Sequence, residues 1–260
     1  MRIGLVQFTA GPDTADNLTA LSGHIRTAAD KGATLIVCPE ASSQAFESGP
    51  LQDQAEGLDG AFATGLRQLA DELGVTIVAG MFRPGDGGRV RNTALITNGR
   101  DLHEGYDKIH AFDTESYRES DNVEPGTELH TFGHEIATVG CAICFDIRFP
   151  DQFQELARRG AHIVVVPTSW AGGENKVEEW TALTRARALD AGVFVLAPDQ
   201  ANPEGATGAT SNSDPLGVGH SMAVAPNGTV LAQGGFDEEV IVVDIDPAEA
   251  TRRQAAVPIL

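Results

Sequence analysis

Two hydrophobic periods alternate along this chain. Short runs rich in β-branched residues, Ile3 to Phe8, Thr34 to Cys38 and Val75 to Phe82, are separated by longer segments, Asn17 to Ala29 and Phe62 to Leu73, whose apolar positions recur at helical spacing. That order predicts β-α-β-α-β. The theme returns with a strand over Ile136 to Phe145, a helix from Pro150 to Arg159, a strand over Ile163 to Val166, a helix from Val177 to Ala191 and a strand over Val193 to Leu196. Alternation of this kind implies an α/β fold in which helices cover sheets built from buried strands. Four further runs, Ala94 to Thr97, Ser221 to Val224, Thr229 to Ala232 and Val240 to Val243, follow one another through turns such as Asn227-Gly228 and read as antiparallel hairpins.

No low-complexity stretch or linker divides the pattern, so residues 1–260 are expected to form one domain. Two irregular segments stand out, 41–60 and 200–219; structureless stretches longer than ~12 to 15 residues in a compact domain are usually functional lids or surface insertions. The longest apolar runs fall far below the roughly 20 residues needed to cross a bilayer. The run Ile3 to Val6 is cut short by Gln7, too early for a secretory signal, so a cytoplasmic location is expected. At 42% apolar residues the chain can build a core, but 37 acidic against 18 basic side chains leave a net charge of −19. Such a surface repels nucleic acid and anionic membranes, and small-molecule partners are expected instead.

Candidate chemistry begins with Glu40, which follows the apolar run Leu35 to Pro39 and so sits at the carboxyl end of a strand, the edge where α/β sheets bind ligands. Lys108, in Tyr106-Asp107-Lys108-Ile109-His110, is one of only three lysines among 18 basic residues, and its compact ammonium suits a developing oxyanion. Cys144 ends the apolar strand and begins the polar turn Cys144-Phe145-Asp146-Ile147-Arg148, an elbow that exposes a nucleophile while the backbone N–H of Phe145 aims at a tetrahedral oxyanion. Cys38 and Cys141 lie inside strands and read as small core hydrophobes. The Cys141-x-x-Cys144 spacing is a poor redox or zinc motif, because residues three apart on a strand face opposite ways and no histidine pair completes a ligand set.

Together with Tyr117-Arg118-Glu119-Ser120, Arg185-Ala186-Arg187-Ala188 and Gly219-His220-Ser221-Met222, these motifs occur in a joint order that resembles the nitrilase superfamily of carbon-nitrogen hydrolases. Nearest in appearance are amidases of its nitrilase-like branch, such as ω-amidase and deaminated glutathione amidase. The resemblance implies an α-β-β-α sandwich, a catalytic triad of Glu40, Lys108 and Cys144, an accessory Glu119, no metal or organic cofactor, and a homodimer or larger homo-oligomer. Phe145 stands where tyrosine is frequent in the family, which removes a hydroxyl from the pocket.

The activity so implied is hydrolysis of a small linear carboxamide through a cysteine thioester. N-carbamoyl hydrolysis, acyl transfer and a non-catalytic interaction module are the alternatives. Substrate contacts are expected from Tyr117, from Trp170 after the strand ending at Pro167, and from Arg148, whose fork suits a carboxylate. A second role for Arg148, an ion pair with Asp146 or Asp151 that fastens the turn, is the more expected one. Trp180, Leu183 and Ala186 share a helical face and read as core or dimer interface.

Overall fold

The computed structural model describes residues 1–114, 117–202, 204–205 and 214–260. Strands β1 (Arg2–Gln7), β2 (Leu35–Val37) and β3 (Thr76–Pro84) run parallel, with helices α1 (Thr14–Asp30) and α2 (Ala61–Leu73) as their crossovers. Strands β4 (Val90–Thr97) and β5 (His103–Asp107) then fold back as antiparallel hairpins. A second sheet repeats the plan. It is entered through β6 (Thr131–His134) and holds β7 (Ala137–Cys141), β8 (Ile163–Val165) and β9 (Phe194–Ala197) in parallel, crossed by α3 (Pro150–Arg158) and α4 (Lys176–Ala191). It closes with the antiparallel pair β10 (Met222–Val224) and β11 (Val230–Gln233). Strand β12 (Glu239–Asp244) crosses back to the first sheet and pairs antiparallel with β1, and α5 (Ala248–Ala256) follows.

The period-2 alternation of each strand fixes the layers. In the first sheet Ile3, Leu5, Leu35, Val37 and Val78 face the second sheet, where Val139, Cys141, Ile163 and Val165 join the same core. The intervening Val6, Ile36, Ile77, Ala79 and Met81 pack outward against Leu21, Ile25, Phe62 and Leu66 of α1 and α2. Phe153 and Leu156 of α3 and Trp180 and Ala188 of α4 are buried as part of the core that includes the second sheet. The result is the expected α-β-β-α sandwich of two mixed six-stranded sheets. Trp180 is wholly buried, so of its two expected roles the structure supports core.

Helix ends lie where polar groups satisfy free backbone N–H donors. The Asp13 carboxylate accepts from the N–H groups of Ala15 and Asp16, which starts α1 at Thr14, ahead of the expected Asn17. Glu56 reaches across to accept from Ala61, Phe62 and Ala63 at the start of α2. Among the described residues, no helix is long and apolar enough to cross a membrane.

Three expectations are corrected. The strand expected over Ile136 to Phe145 stops at Cys141; Ile136 lies in the β6–β7 turn, 79% exposed, and residues 144–148 form a 3-10 turn. Strand β6 was missed because Thr-Phe-Gly-His offers only one buried apolar side chain. The run Val240 to Val243 is not the partner of β11, because the chain leaves that sheet and adds to the edge of the other. The irregular segment 41–60 holds a 3-10 turn, Leu51–Asp53, while residues 203 and 206–213 of the second irregular segment lie outside the described residues.

Candidate active site

The carboxyl ends of the parallel strands of both sheets open at one place. After β2 the chain runs on beside β3, with the Cys38 N–H donating to Val78 O and the Gly80 N–H donating to Pro39 O, before turning at Ala41 with φ 57°. Glycine is required at position 80, since a Cβ there would stand 2.5 Å from the Ala41 nitrogen and 2.6 Å from the Glu40 Cα. Across the cleft, the Cys144 N–H donates to Pro167 O at 3.0 Å and Cys144 takes φ 44°, a left-handed conformation that costs a non-glycine residue of order 1–3 kcal/mol. Lys108 follows β5, its N–H donating to Asn92 O on β4 at 2.8 Å.

These three corners bring their side chains together. Lys108 Nζ donates to Glu40 Oε1 at 2.9 Å and to Glu119 Oε2 at 2.9 Å, with Glu40 1% exposed, Lys108 3% and Glu119 2%. Asn92 Nδ2 bridges the same two carboxylates, at 2.7 Å to Glu40 and 3.0 Å to Glu119. Backbone donors complete them: the Ser169 N–H to Glu40 Oε2 at 2.9 Å, and the Phe112 N–H to Glu119 Oε2 at 2.6 Å. The Cys144 thiol donates to Ser169 O at 3.7 Å, the carbonyl of the residue whose N–H is bonded to Glu40.

Burial is the dominant influence on the electrostatics here. It raises the Glu40 carboxyl above the ordinary glutamate range; Lys108 opposes the shift and Glu119 adds to it. Burial works against the Lys108 ammonium, but Glu119 and Glu40 outweigh it and hold Lys108 well above a usual lysine. The Cys144 thiol is pushed well up by burial and by Glu40, with Lys108 pulling the other way. The resting group is therefore a neutral thiol beside a base. Cys38 and Cys141 are buried free thiols raised by burial alone or nearly so.

The group opens into a small cavity with Phe46, Phe112, Tyr117, Phe145 and Trp170 on its walls and Arg148 and Lys176 among its charged lining residues. Tyr117 and Trp170, from which substrate contacts were expected, both line this cavity. Phe145 directly follows Cys144 and sets its ring against those of Phe112 and Phe149. Arg148 does not pair with Asp146 or Asp151: its guanidinium bonds Glu179 on α4, which also accepts from Lys176 at 2.9 Å, and sits 5.4 Å from the Trp170 ring. The turn carries Arg148 toward α4, while Asp146 points inward, wholly buried, to other partners.

Sequence reasoning missed Asn92, Asp146, Ser169, Phe112, Phe46 and Lys176. Asn92 carried a usable signal, being an amide within the otherwise strand-like Val90 to Thr97, where asparagine is disfavoured. Ser169 and Phe112 contribute backbone N–H groups, which leave no trace in side-chain identity. The remaining motifs have structural roles: Arg187, 7% exposed, donates to Ile147 O in the turn 144–148, and His220 O accepts the Trp180 indole N–H.

The pattern of the carbon-nitrogen hydrolase family matches residues 2–254. Hydrolase Rv0480c of Mycobacterium tuberculosis is 43% identical over 253 residues, covering 95% of this chain and 89% of that protein. Omega-amidase NIT2-B of Xenopus laevis is 32% identical over 265 residues, covering 99% and 93%. Among solved structures, a variant of the amidase from Nesterenkonia sp. AN1, with the acetamide moiety of fluoroacetamide covalently added at its active site cysteine, superposes with a TM-score of 0.81 at 26% identity, covering 98% of this chain and 94% of that one. With the two-sheet sandwich, the strand-end cleft and these matches over nearly its whole length, the chain belongs to the carbon-nitrogen hydrolase family, on the nitrilase-like amidase branch of the nitrilase superfamily.

Proposed function

We propose that this protein hydrolyses a small linear carboxamide, the ω-amide of a keto acid or a related compound, to a carboxylate and ammonia through a thioester on Cys144. One observation carries the reading: a thiol, a carboxylate and an ammonium from three distant strand ends line one cavity, with Lys108 Nζ 2.9 Å from Glu40 and Ser169 hydrogen-bonded to both Glu40 and Cys144. Likeness to an ω-amidase, and to an amidase whose cysteine takes up an acetamide group, supports the choice of substrate and nucleophile.

Glu40 takes the thiol proton as sulfur attacks the amide carbon, which suits a neutral resting thiol better than a preformed thiolate. Lys108 and the Phe145 N–H hold the oxyanion, a contribution whose loss costs on the order of 3 kcal/mol in comparable sites. Glu40 returns its proton to the leaving nitrogen, the C–N bond breaks, and ammonia departs. Water then attacks the thioester with Glu40 again as base, releasing the acid and restoring the thiol. Glu119, bonded to Lys108 and Asn92, orients the ammonium and the substrate amide. Aromatic walls suit a short aliphatic chain, and Arg148 and Lys176 suit a carboxylate at its far end.

Ammonia release from a panel of α-ketoglutaramate, deaminated glutathione and butyramide, with mass analysis of the intact protein, tests the proposal. An acyl adduct on Cys144 and no turnover by Cys144→Ala are expected. Turnover by Cys144→Ala would overturn it, and release of carbon dioxide together with ammonia from a ureido compound alone would move the assignment to N-carbamoyl hydrolysis.

A further inference from the structure

The function just proposed needs the Cys144 thiol and the Lys108 ammonium at a fixed separation, yet they come from different sheets: Lys108 follows the edge strand β5 and Cys144 follows β7. One side chain bonds to both segments. Asp146, two residues after Cys144, is wholly buried and uses both carboxylate oxygens. Its Oδ2 accepts the Ile143 N–H at 2.9 Å and the Tyr106 hydroxyl at 2.7 Å. Its Oδ1 accepts the His110 N–H at 3.0 Å and lies 2.8 Å from His110 Nδ1. Tyr106 and His110 are two residues before and two residues after Lys108, and Ile143 directly precedes Cys144. The lysine is thus bracketed on both sides by bonds to a carboxylate rooted in the nucleophile's own turn.

The neighbours reinforce this. Gln152 on α3 donates to the Tyr106 hydroxyl oxygen at 2.8 Å, which leaves the hydroxyl proton for Asp146. The His110 ring stacks on Phe149 at 3.5 Å between centroids, holding Nδ1 toward Asp146. On the other side of the turn, Arg187 Nε donates to Ile147 O at 2.8 Å. Cys144 has φ 44°, and such a conformation persists only where its surroundings over-determine it.

We propose that Asp146 is a positioning residue that sets the separation of Cys144 and Lys108 by clamping the nucleophile turn to the segment 106–110. It touches neither substrate nor the reacting atoms, so its loss lowers kcat while the cavity walls that bind substrate stay in place. Misplacement of reacting groups by about 1 Å can cost about 100-fold in rate.

The test compares Asp146→Asn with the wild type in three readings: kcat, KM, and the pH midpoint for alkylation of Cys144 by iodoacetamide. We expect kcat to fall by about 100-fold with KM within twofold. The alkylation midpoint moves up, because Lys108, which favours the thiolate, has drifted from the sulfur. Leu21→Ala, a core truncation in α1, lowers Tm without either change and so separates positioning from general loosening. Folded Asp146→Asn with kcat within threefold of wild type and an unmoved midpoint overturns the proposal. Should Asp146→Asn fail to fold, Tyr106→Phe decides: a five- to tenfold fall in kcat at unchanged KM is expected by about the same reasoning, and wild-type kcat overturns the clamp. The inference rests on the amidase reading, but alkylation reads the clamp without turnover. An active Cys144→Ala would sink the reading, while an inactive Cys144→Ala beside a wild-type-like Asp146→Asn would sink the clamp alone.

Discussion

The two corners that meet in the cavity follow a parallel strand of each sheet, both are hydrogen-bonded, and they differ in what else constrains them. The Glu40 corner is also hydrogen-bonded, through Pro39 O and Glu40 O, but it depends in addition on steric room: its backbone passes so close to β3 that no Cβ fits at Gly80. The Cys144 corner depends on polar bonds, with Pro167 O, Asp146 and Arg187 holding its turn. A Cβ at Gly140, on the strand that leads to Cys144, would have the Leu156 side chain as its nearest neighbour, at 3.1 Å, whereas at Gly80 it would strike backbone. For the proposed base, a close backbone crossing brings the carboxylate in without blocking the cleft. For the proposed nucleophile, directional hydrogen bonds hold a strained conformation against relaxation.

The sharpest way to break this comparison is to remove the proposed base without disturbing the packing. Glu40→Gln is expected to lower kcat by about 10² to 10⁴ and to abolish the acidic limb of the pH profile, measured as ammonia release against pH. In the wild type that limb follows Glu40, which must be ionised to accept the thiol proton. Since burial raises its pKa, activity falls as pH drops through a value above the ordinary ~4.3 of glutamate. A limb at or below that value would contradict the assignment.

Next come the glycines near each corner, Gly80 and Gly140. Gly80→Ala displaces Glu40 and is expected to cost about 100-fold in kcat. It should also lose roughly 1–3 kcal/mol of stability by denaturant unfolding. Gly140→Ala lets Leu156 give way and should keep most of both. Equal losses would show that the two corners are not held differently. Asn92→Ala removes a bridging donor worth about 1.5–3 kcal/mol in hydrogen bonds to charged groups, and about a tenfold loss of kcat is expected. The smallest effect lies at the outer end of the cavity. Glu179→Gln releases Arg148 and Lys176 from their shared partner, and KM for amides bearing a carboxylate should fall by a few fold while KM for butyramide stays put. An equal change for both substrates would place those cations outside the binding path.

The residues that converge were legible early because each is an exception to its surroundings: a carboxylate directly after a buried strand, a rare lysine, a cysteine at the foot of a polar turn. Their order along the chain also carried the family resemblance that the comparisons bear out. Reading failed where an interaction depends on distance through space. Arg148 was expected to pair with a near neighbour in sequence, but its turn aims it at Glu179, 31 positions away. Asp146 looked like the partner of an arginine and instead joins Tyr106, His110 and Ile143.

The sequence by itself determined the alternation of strands and helices, the buried faces and the motifs, because period, propensity and turn chemistry act over a few residues. Only the tertiary structure decided that β12 closes the first sheet, that Gly80 makes room for Glu40, and that Asn92 and two backbone N–H groups complete the carboxylates. Those outcomes depend on which surfaces meet when two sheets pack, and a hydrogen bond between strands dozens of residues apart has no local signature in the chain.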